Sequence, residues 1–288
     1  MTRMVGTASI RPRTPARRWA FGGGIAGLLL ALPALAPANW LADALAQASG
    51  GRLLLTDARG TLWSGSAVAV LTGGPGSRDA SALPGRLHWS VGLAPSSWSA
   101  IELALRQACC IDGTMRLRLQ AGIGRLRLSL PQDAPTLARW PAAWLAGLGA
   151  PFNTLRLDGL AQLSSSGVAL ERVQGRWRMD GQLEIQLQDL SSALSTVRPL
   201  GSYRVLLDGN GGSKDSKAVD STRGGPTARL SLQTLQGPLQ LAGQGQWAGQ
   251  TLRFRGQAQA EPGSEAMLNN LLNLLGQRQG PLALLAIG

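Results

Sequence analysis

A single histidine, His88, and one cysteine pair, Cys109 and Cys110, leave this chain of 288 residues short of catalytic chemistry. Two cysteines alone cannot build a structural zinc site. Adjacent strand residues point to opposite faces, and a bond between them would close a small ring below the usual Cα separation. Free thiols or an intermolecular bridge are therefore expected. Acidic residues number only 16 and are scattered. Asp112-Gly113, Asp158-Gly159, Asp180-Gly181 and Asp208-Gly209 are turn chemistry. No His, Cys and carboxylate cluster has metal-ligand spacing, no G-x-S-x-G elbow occurs, and no phosphate loop is present. His88 lies in an alternating stretch, Leu87 to Val91, and reads as an outward strand residue. No catalytic residue, metal or cofactor is expected.

The shortage of acids leaves a net charge of +12. Arg3, Arg11, Arg13, Arg17 and Arg18 precede any acidic residue, and the remaining arginines are isolated along the chain. Basic clusters with interleaved aromatics, helix-turn-helix, zinc and RNA-binding signatures are all missing, so no nucleic acid is expected as a partner. Charged residues are only 15%, with 38 glycines and 16 prolines, which suits a loop-rich β protein.

After the basic segment 1–18, an apolar run extends from Trp19 to about Ala38. About 20 residues match the hydrocarbon thickness of a bilayer. The preceding arginines place the N-terminus in the cytoplasm, and Trp19 and Trp40 suit the two interfaces. This predicts a transmembrane helix over 19–40, with the body, 41–288, in the periplasm. A cleaved signal peptide is the rival reading, with Ala44-Leu45-Ala46 as a cleavage site. The long apolar run, and Pro37 after the earlier candidate Ala34-Leu35-Ala36, favour an uncleaved anchor. Gly22, Gly24 and Gly27 match G-x-G-x-x-G, but no strand precedes them; Gly23 and Gly27 fit a small-xxx-small helix contact instead.

Beyond residue 50 the pattern has period two. Met115, Leu117 and Leu119 alternate with polar residues, as do Leu126, Leu128 and Leu130, with Ala121 to Gly124 as the turn of a hairpin. Trp177 and Met179, then Leu183, Ile185 and Leu187, flank Asp180-Gly181. A two-residue turn there would set the two apolar rows on opposite faces, so an odd-length loop or bulge is expected. Further strands are predicted at 203–207, 229–234, 238–243, 250–260 and 282–287. Two short helices are expected. One covers 135–149, where Leu137, Trp140, Trp144 and Leu148 share a face and Pro141 forces a kink. The other covers 264–276, capped by Ser264, striped by Leu268, Leu271, Leu272 and Leu275, and stopped by Gly276. The segment 209–226 is rich in Gly, Ser, Lys and Asp and reads as a flexible loop. The fold class is mainly β: a curved, largely antiparallel sheet, as an open groove or a sandwich, with one apolar face.

Several phrases carry a resemblance. Gly60-Thr61-Leu62-Trp63-Ser64-Gly65 is followed by Leu83-Pro84-Gly85-Arg86-Leu87-His88-Trp89. Pro199-Leu200-Gly201-Ser202-Tyr203 comes next, then Gln236 to Trp247, which holds Gly243 and Gly245. The end reads Leu271-Leu272-Asn273-Leu274-Leu275-Gly276 and continues to Gly280. In this order the phrases resemble type II secretion system protein N, with segment 209–226 as an insertion. Gly60 and Gly65 bracket a short strand on which Trp63 can bury its ring; Gly243, Gly245 and Gly249 around Trp247 suit a twisted sheet with close backbone approach. These read as fold-defining residues rather than a direct site. The resemblance implies a non-catalytic inner-membrane component of the machine that exports folded proteins across the outer membrane. Its partners would be other inner-membrane components of that machine and membrane lipid, on an AsmA-like, apolar-lined β-groove. A periplasmic lipid-binding or lipid-transfer protein, with lipid in the groove, is the alternative.

Overall fold

The computed structural model describes Ala31 and residues 35–94, 97–130, 136–173, 176–209, 228–248 and 251–287. The chain divides into two compact units, residues 1–36 and 37–288. The expected cytoplasmic segment 1–18, most of the expected span 19–40 and nearly all of the loop 209–226 lie outside the described residues. No helix among the described residues is long and apolar enough to cross a membrane.

The second unit opens with α1 (Ala38–Ala48), an element the sequence reading divided between anchor and body. One face carries Leu41, Ala42 and Leu45 and packs on Leu55, Ala67 and Ala69. At its end the Ser49 hydroxyl donates to the Ala46 carbonyl (3.1 Å) and accepts from the Leu53 N–H (3.1 Å), turning the chain into the first strand.

Two antiparallel sheets follow. The first contains β1 (Leu53–Gly60), β2 (Ser64–Thr72), β3 (Ala80–Ala82), β4 (Leu87–Ala94), β5 (Ser97–Arg106), β6 (Met115–Gly122), β7 (Arg125–Leu130), β10 (Val168–Val173) and β11 (Arg176–Asp180). The second contains β8 (Ala138–Pro141), β9 (Leu157–Ser165), β12 (Gln182–Ser192), β13 (Gly201–Gly209), β14 (Ala228–Gln236), β15 (Leu239–Ala248), β16 (Thr251–Ala260), β17 (Gln277–Gln279) and β18 (Leu282–Ile287). Their orders are β1-β2-β4-β5-β6-β7-β10-β11, with β3 on β2, and β17-β18-β16-β15-β14-β13-β12-β9-β8. Both are antiparallel and open, with no pairing between their ends among the described residues; the mainly β, antiparallel expectation holds, but the strands form two sheets where one curved sheet is expected. The β6–β7 hairpin forms as the alternation predicts, with Leu119 opposite Leu128 and a turn at Ile123-Gly124.

The second predicted hairpin does not form. Residues 176–180 pair with β10, whereas residues 182–192 pair with β9 and β13. At Asp180-Gly181 the chain leaves one sheet for the other, and at Ser166-Gly167 it makes the reverse crossing. Gly181 has φ +87°, and a Cβ there would overlap the Gly167 carbonyl, so only glycine lets the two crossings touch. The apolar rows therefore never had to share a face within one hairpin. They meet around the corner instead, where Val168, Met179 and Ala228 are buried among Leu130, Leu170, Leu183 and Leu207.

Two further expectations are corrected. The helix predicted over 135–149 is strand β8 followed by a short 3-10 helix (Ala142–Leu148), then α2 (Phe152–Leu155). Pro141 cannot continue a helix and ends an edge strand instead. Trp140 and Trp144 still serve as core, set edge to face at 6.1 Å against the first sheet's cluster. Cys109 and Cys110 are joined in a disulfide, neither free nor bridged to another chain. The pleat argument fails because they lie in a turn between β5 and β6: the Cys110 and Ile111 amides both donate to the Gln107 carbonyl. Helices α1 and α2 thus join the expected C-terminal helix, α3 (Glu265–Leu275).

Candidate functional site

The family phrases gather into three packing nodes. In the first, Gly60 closes β1 and Thr61 to Trp63 form the tight connection to β2 rather than a strand. The Thr61 amide donates to the Ser64 carbonyl (2.9 Å), and Leu62 is half-buried. Trp63 does not bury its ring; it is 39% exposed, while its carbonyl accepts from the Val91 amide at 2.7 Å. The buried ring belongs to Trp89, 3% exposed. Its indole N–H lies 3.2 Å from both the Thr61 and Leu62 carbonyls. Gly65 makes room for it, since a Cβ there would stand 2.5 Å from the indole and 2.6 Å from the Arg59 carbonyl.

Arg86, inside the second phrase, was not singled out by sequence reasoning. Its guanidinium donates to the Asp57 carboxylate (2.6 Å), the Asp57 carbonyl (2.6 Å) and the Ser66 carbonyl and hydroxyl (both 3.1 Å). It thereby clamps the β1 bulge between Thr56 and Arg59. The Arg86 and Arg59 hydrogen bonds hold the Asp57 carboxyl below its ordinary value. A depressed folded-state pKa contributes stability above the unfolded value, lost as pH falls through the carboxylate range. Asp57→Asn is expected to flatten part of the acid limb of stability against pH and leave the neutral-to-basic part parallel to wild type. Urea midpoints across pH check this.

The second node lies in the second sheet. Tyr203 is 1% exposed and its hydroxyl donates to the Leu239 carbonyl at 3.1 Å. Burial pushes its phenol well above the ordinary range, so it stays neutral. A Cβ on Gly201 would stand 2.5 Å from the Gln236 carbonyl and 3.0 Å from that hydroxyl. Tyr203→Phe is expected to cost about 1–3 kcal/mol by leaving the Leu239 carbonyl without its donor. An unchanged urea midpoint would remove that assignment. Gly243 and Gly245 lie opposite Gly256 and Phe254 in register. A Cβ on Gly243 would overlap the Phe254 ring, so the glycine is a seat for that ring. Trp247 pairs with Leu252 and is 39% exposed, at the open end of the face.

The third node is α3. Leu268, Leu271 and Leu272 are at most 2% exposed, and Leu275 packs at the cluster's margin. Ser264 stands at the N-cap but its side chain makes no capping bond; the Glu265 carboxylate accepts from the Gly263 amide at 2.8 Å. Gly276 ends the helix in extended backbone, and its reason is close approach: a Cβ would overlap the Leu284 carbonyl.

A family model for type II secretion system (T2SS) protein N matches residues 51–284, and every one of these nodes lies inside that range. The chain belongs to the type II secretion system protein N family. No curated protein and no solved structure matches the chain.

Among the described residues the protein N motifs thus gather at packing contacts. His88 is exposed on the outer face, opposite Ser66 and Arg106. Among the described residues no three His, Cys, Asp or Glu side chains could hold a metal ion. What the nodes leave open is an apolar face. Helix α3 covers the end with Tyr203, Leu239, Ala258 and Ala283. Toward the corner, Ile185, Val205, Leu230 and Leu232 are only half-buried, and Trp247 stands beyond them.

Proposed function

We propose that this protein is a non-catalytic, inner-membrane-anchored component of the type II secretion system, with its β body in the periplasm, supporting export of folded proteins across the outer membrane. The observation that carries this reading is the family match over residues 51–284, with the motif residues acting as seats and clamps for the fold. The basic segment and the apolar run from Trp19 support the anchor and its orientation. Its partners in this reading are other components of the secretion machine. The test is deletion of the gene: exoproteins should accumulate folded in the periplasm and return to the medium on complementation. Normal release and normal assembly of the other components would end the proposal. Protease accessibility in spheroplasts reads the anchor separately, since the body should be digested from the periplasmic side only.

A second reading is favoured by one observation, the half-buried leucine, isoleucine and valine row between α3 and the corner. A lipid chain seated on this face would complete its burial. Native mass spectrometry of the gently purified chain should then show a lipid adduct, and a lipid-free spectrum would dismiss it. A scaffold that also holds lipid satisfies both readings.

A further inference from the structure

The outer face of the first sheet carries a one-sided charge. Register places Arg106, Arg116, Arg118, Arg125, Arg127 and Arg178 on one surface across β5, β6, β7, β10 and β11. Its acids are Glu102, Glu171 and Asp180. Glu102 pairs with Arg116 (3.0 Å) and Glu171 with Arg125 (3.1 Å). Glu171 also lies directly opposite Arg127 on one side and Arg178 on the other, one carboxylate among three guanidiniums. Arg118, Arg127 and Arg178 have no carboxylate within ion-pair distance among the described residues. Strands stand about 4.8 Å apart and alternate residues about 7 Å, so neighbouring guanidiniums lie within about one Debye length, and their repulsion is not screened away.

We propose that this face lies against the anionic phospholipid headgroups of a membrane. The array is broad, with Ala100, Ala104, Ser129 and Ala169 between the charges. Stable protein interfaces centre on desolvated aromatic or aliphatic anchors, and among the described side chains of this face Val173, at the end of β10, is the one larger apolar group. A headgroup layer needs only charge, spread over an area, and arginine supplies it to phosphate in a fixed fork. The outer face of the second sheet mixes glutamine, including Gln162, Gln186, Gln188 and Gln244, with Arg139, Arg204, Arg229, Arg253 and Arg255 and the acids Glu184 and Asp208. On that face Arg139 and Arg204 are held by Asp112 and Glu184, which leaves Arg229, Arg253 and Arg255, whereas the first face keeps Arg106, Arg118, Arg127 and Arg178 outside any ion pair among the described residues.

The test uses the full chain in nanodiscs of phosphatidylcholine, with and without phosphatidylglycerol. A fluorophore is attached at Gln120→Cys, an exposed site on the same face, under non-reducing conditions. A headgroup-labelled lipid quencher should dim it severalfold more in the anionic discs, and high salt should abolish the excess. The Arg118→Gln/Arg127→Gln/Arg178→Gln variant should lose the excess, whereas Arg253→Gln/Arg255→Gln keeps it. Thermal unfolding checks that the triple variant folds, as removing mutual repulsion predicts. Equal quenching in the two lipids, or excess quenching that survives in the triple variant, overturns the proposal. No quenching in either disc, with loss of a co-purifying acidic protein in the triple variant, overturns it in favour of a protein surface. Failure to stay with neutral discs counts against the anchor alone, because charge-dependent association with anionic discs still reads this face.

Discussion

Trp89→Ala is expected to destabilise the body by about 3–5 kcal/mol, the range for deleting a large aromatic from a packed core. The indole is 3% exposed and fills the space over Gly65 that a Cβ would occupy. Its N–H also serves the Thr61 and Leu62 carbonyls, so the substitution opens a cavity and removes a donor together. For a unit of this size the thermal midpoint should fall on the order of 10 °C. Trp89→Phe should fall between, keeping most of the ring while losing the N–H. Gly65→Ala should cost about 1–3 kcal/mol by overpacking. In the Trp89→Ala background that penalty should shrink without vanishing, because the Arg59 carbonyl still crowds the new methyl. Thermal unfolding of the four variants gives this cycle. A Trp89→Ala midpoint within a degree of wild type would show that the indole is not the knob of this node.

Leu272→Ala is expected to cost about 2–5 kcal/mol. Leu272 is 1% exposed in the cluster that joins α3 to Tyr203, Leu239 and Ala258. Truncation weakens the helix that contributes Leu268, Leu271 and Leu272 to that cluster, beside Ala142 and Leu155 of the 3-10 helix and α2. Amide exchange should therefore accelerate across α3, and a hydrophobic dye should bind more. Leu274, 44% exposed on the opposite side of the helix, is the internal comparison. Leu274→Ala should stay within about 0.5 kcal/mol of wild type. Equal effects at the two positions would contradict the packing of α3.

The parts legible in the sequence were those governed by local pattern. Alternation marked β6, β7 and most strands of the second sheet, and the 3.6-residue stripe of Leu268, Leu271, Leu272 and Leu275 marked α3. Errors arose where tertiary geometry decided. Asp180-Gly181 looks like a hairpin turn, yet it is a crossing between sheets, because period-two patterns do not reveal which strand is the neighbour. The stripe through Leu137, Trp140 and Trp144 looked helical, but Pro141 and the free edge of β9 made it a strand and a 3-10 turn. Cys109 and Cys110 looked unbridgeable only on the assumption of a strand. The motif phrases showed which residues matter, but not the exchange of roles within them: Trp63 sits at the surface, and Trp89, twenty-six positions on, takes the seat that Gly65 provides. Arg86 escaped notice because its partners, Asp57 and Ser66, are distant in sequence and meet only in the folded clamp.

The proposed role makes the family motif a builder of a fold for secretion rather than a reactive centre. Its most direct measurement is exoprotein released by a deletion strain complemented with Trp89→Ala, Gly65→Ala, Tyr203→Phe, Leu272→Ala or His88→Ala, plotted against the amount of folded protein in each strain. Release should follow the folded amount along one line, with His88→Ala at the wild-type end. A motif or His88 variant that folds to the wild-type level and yet releases no exoprotein would contradict it.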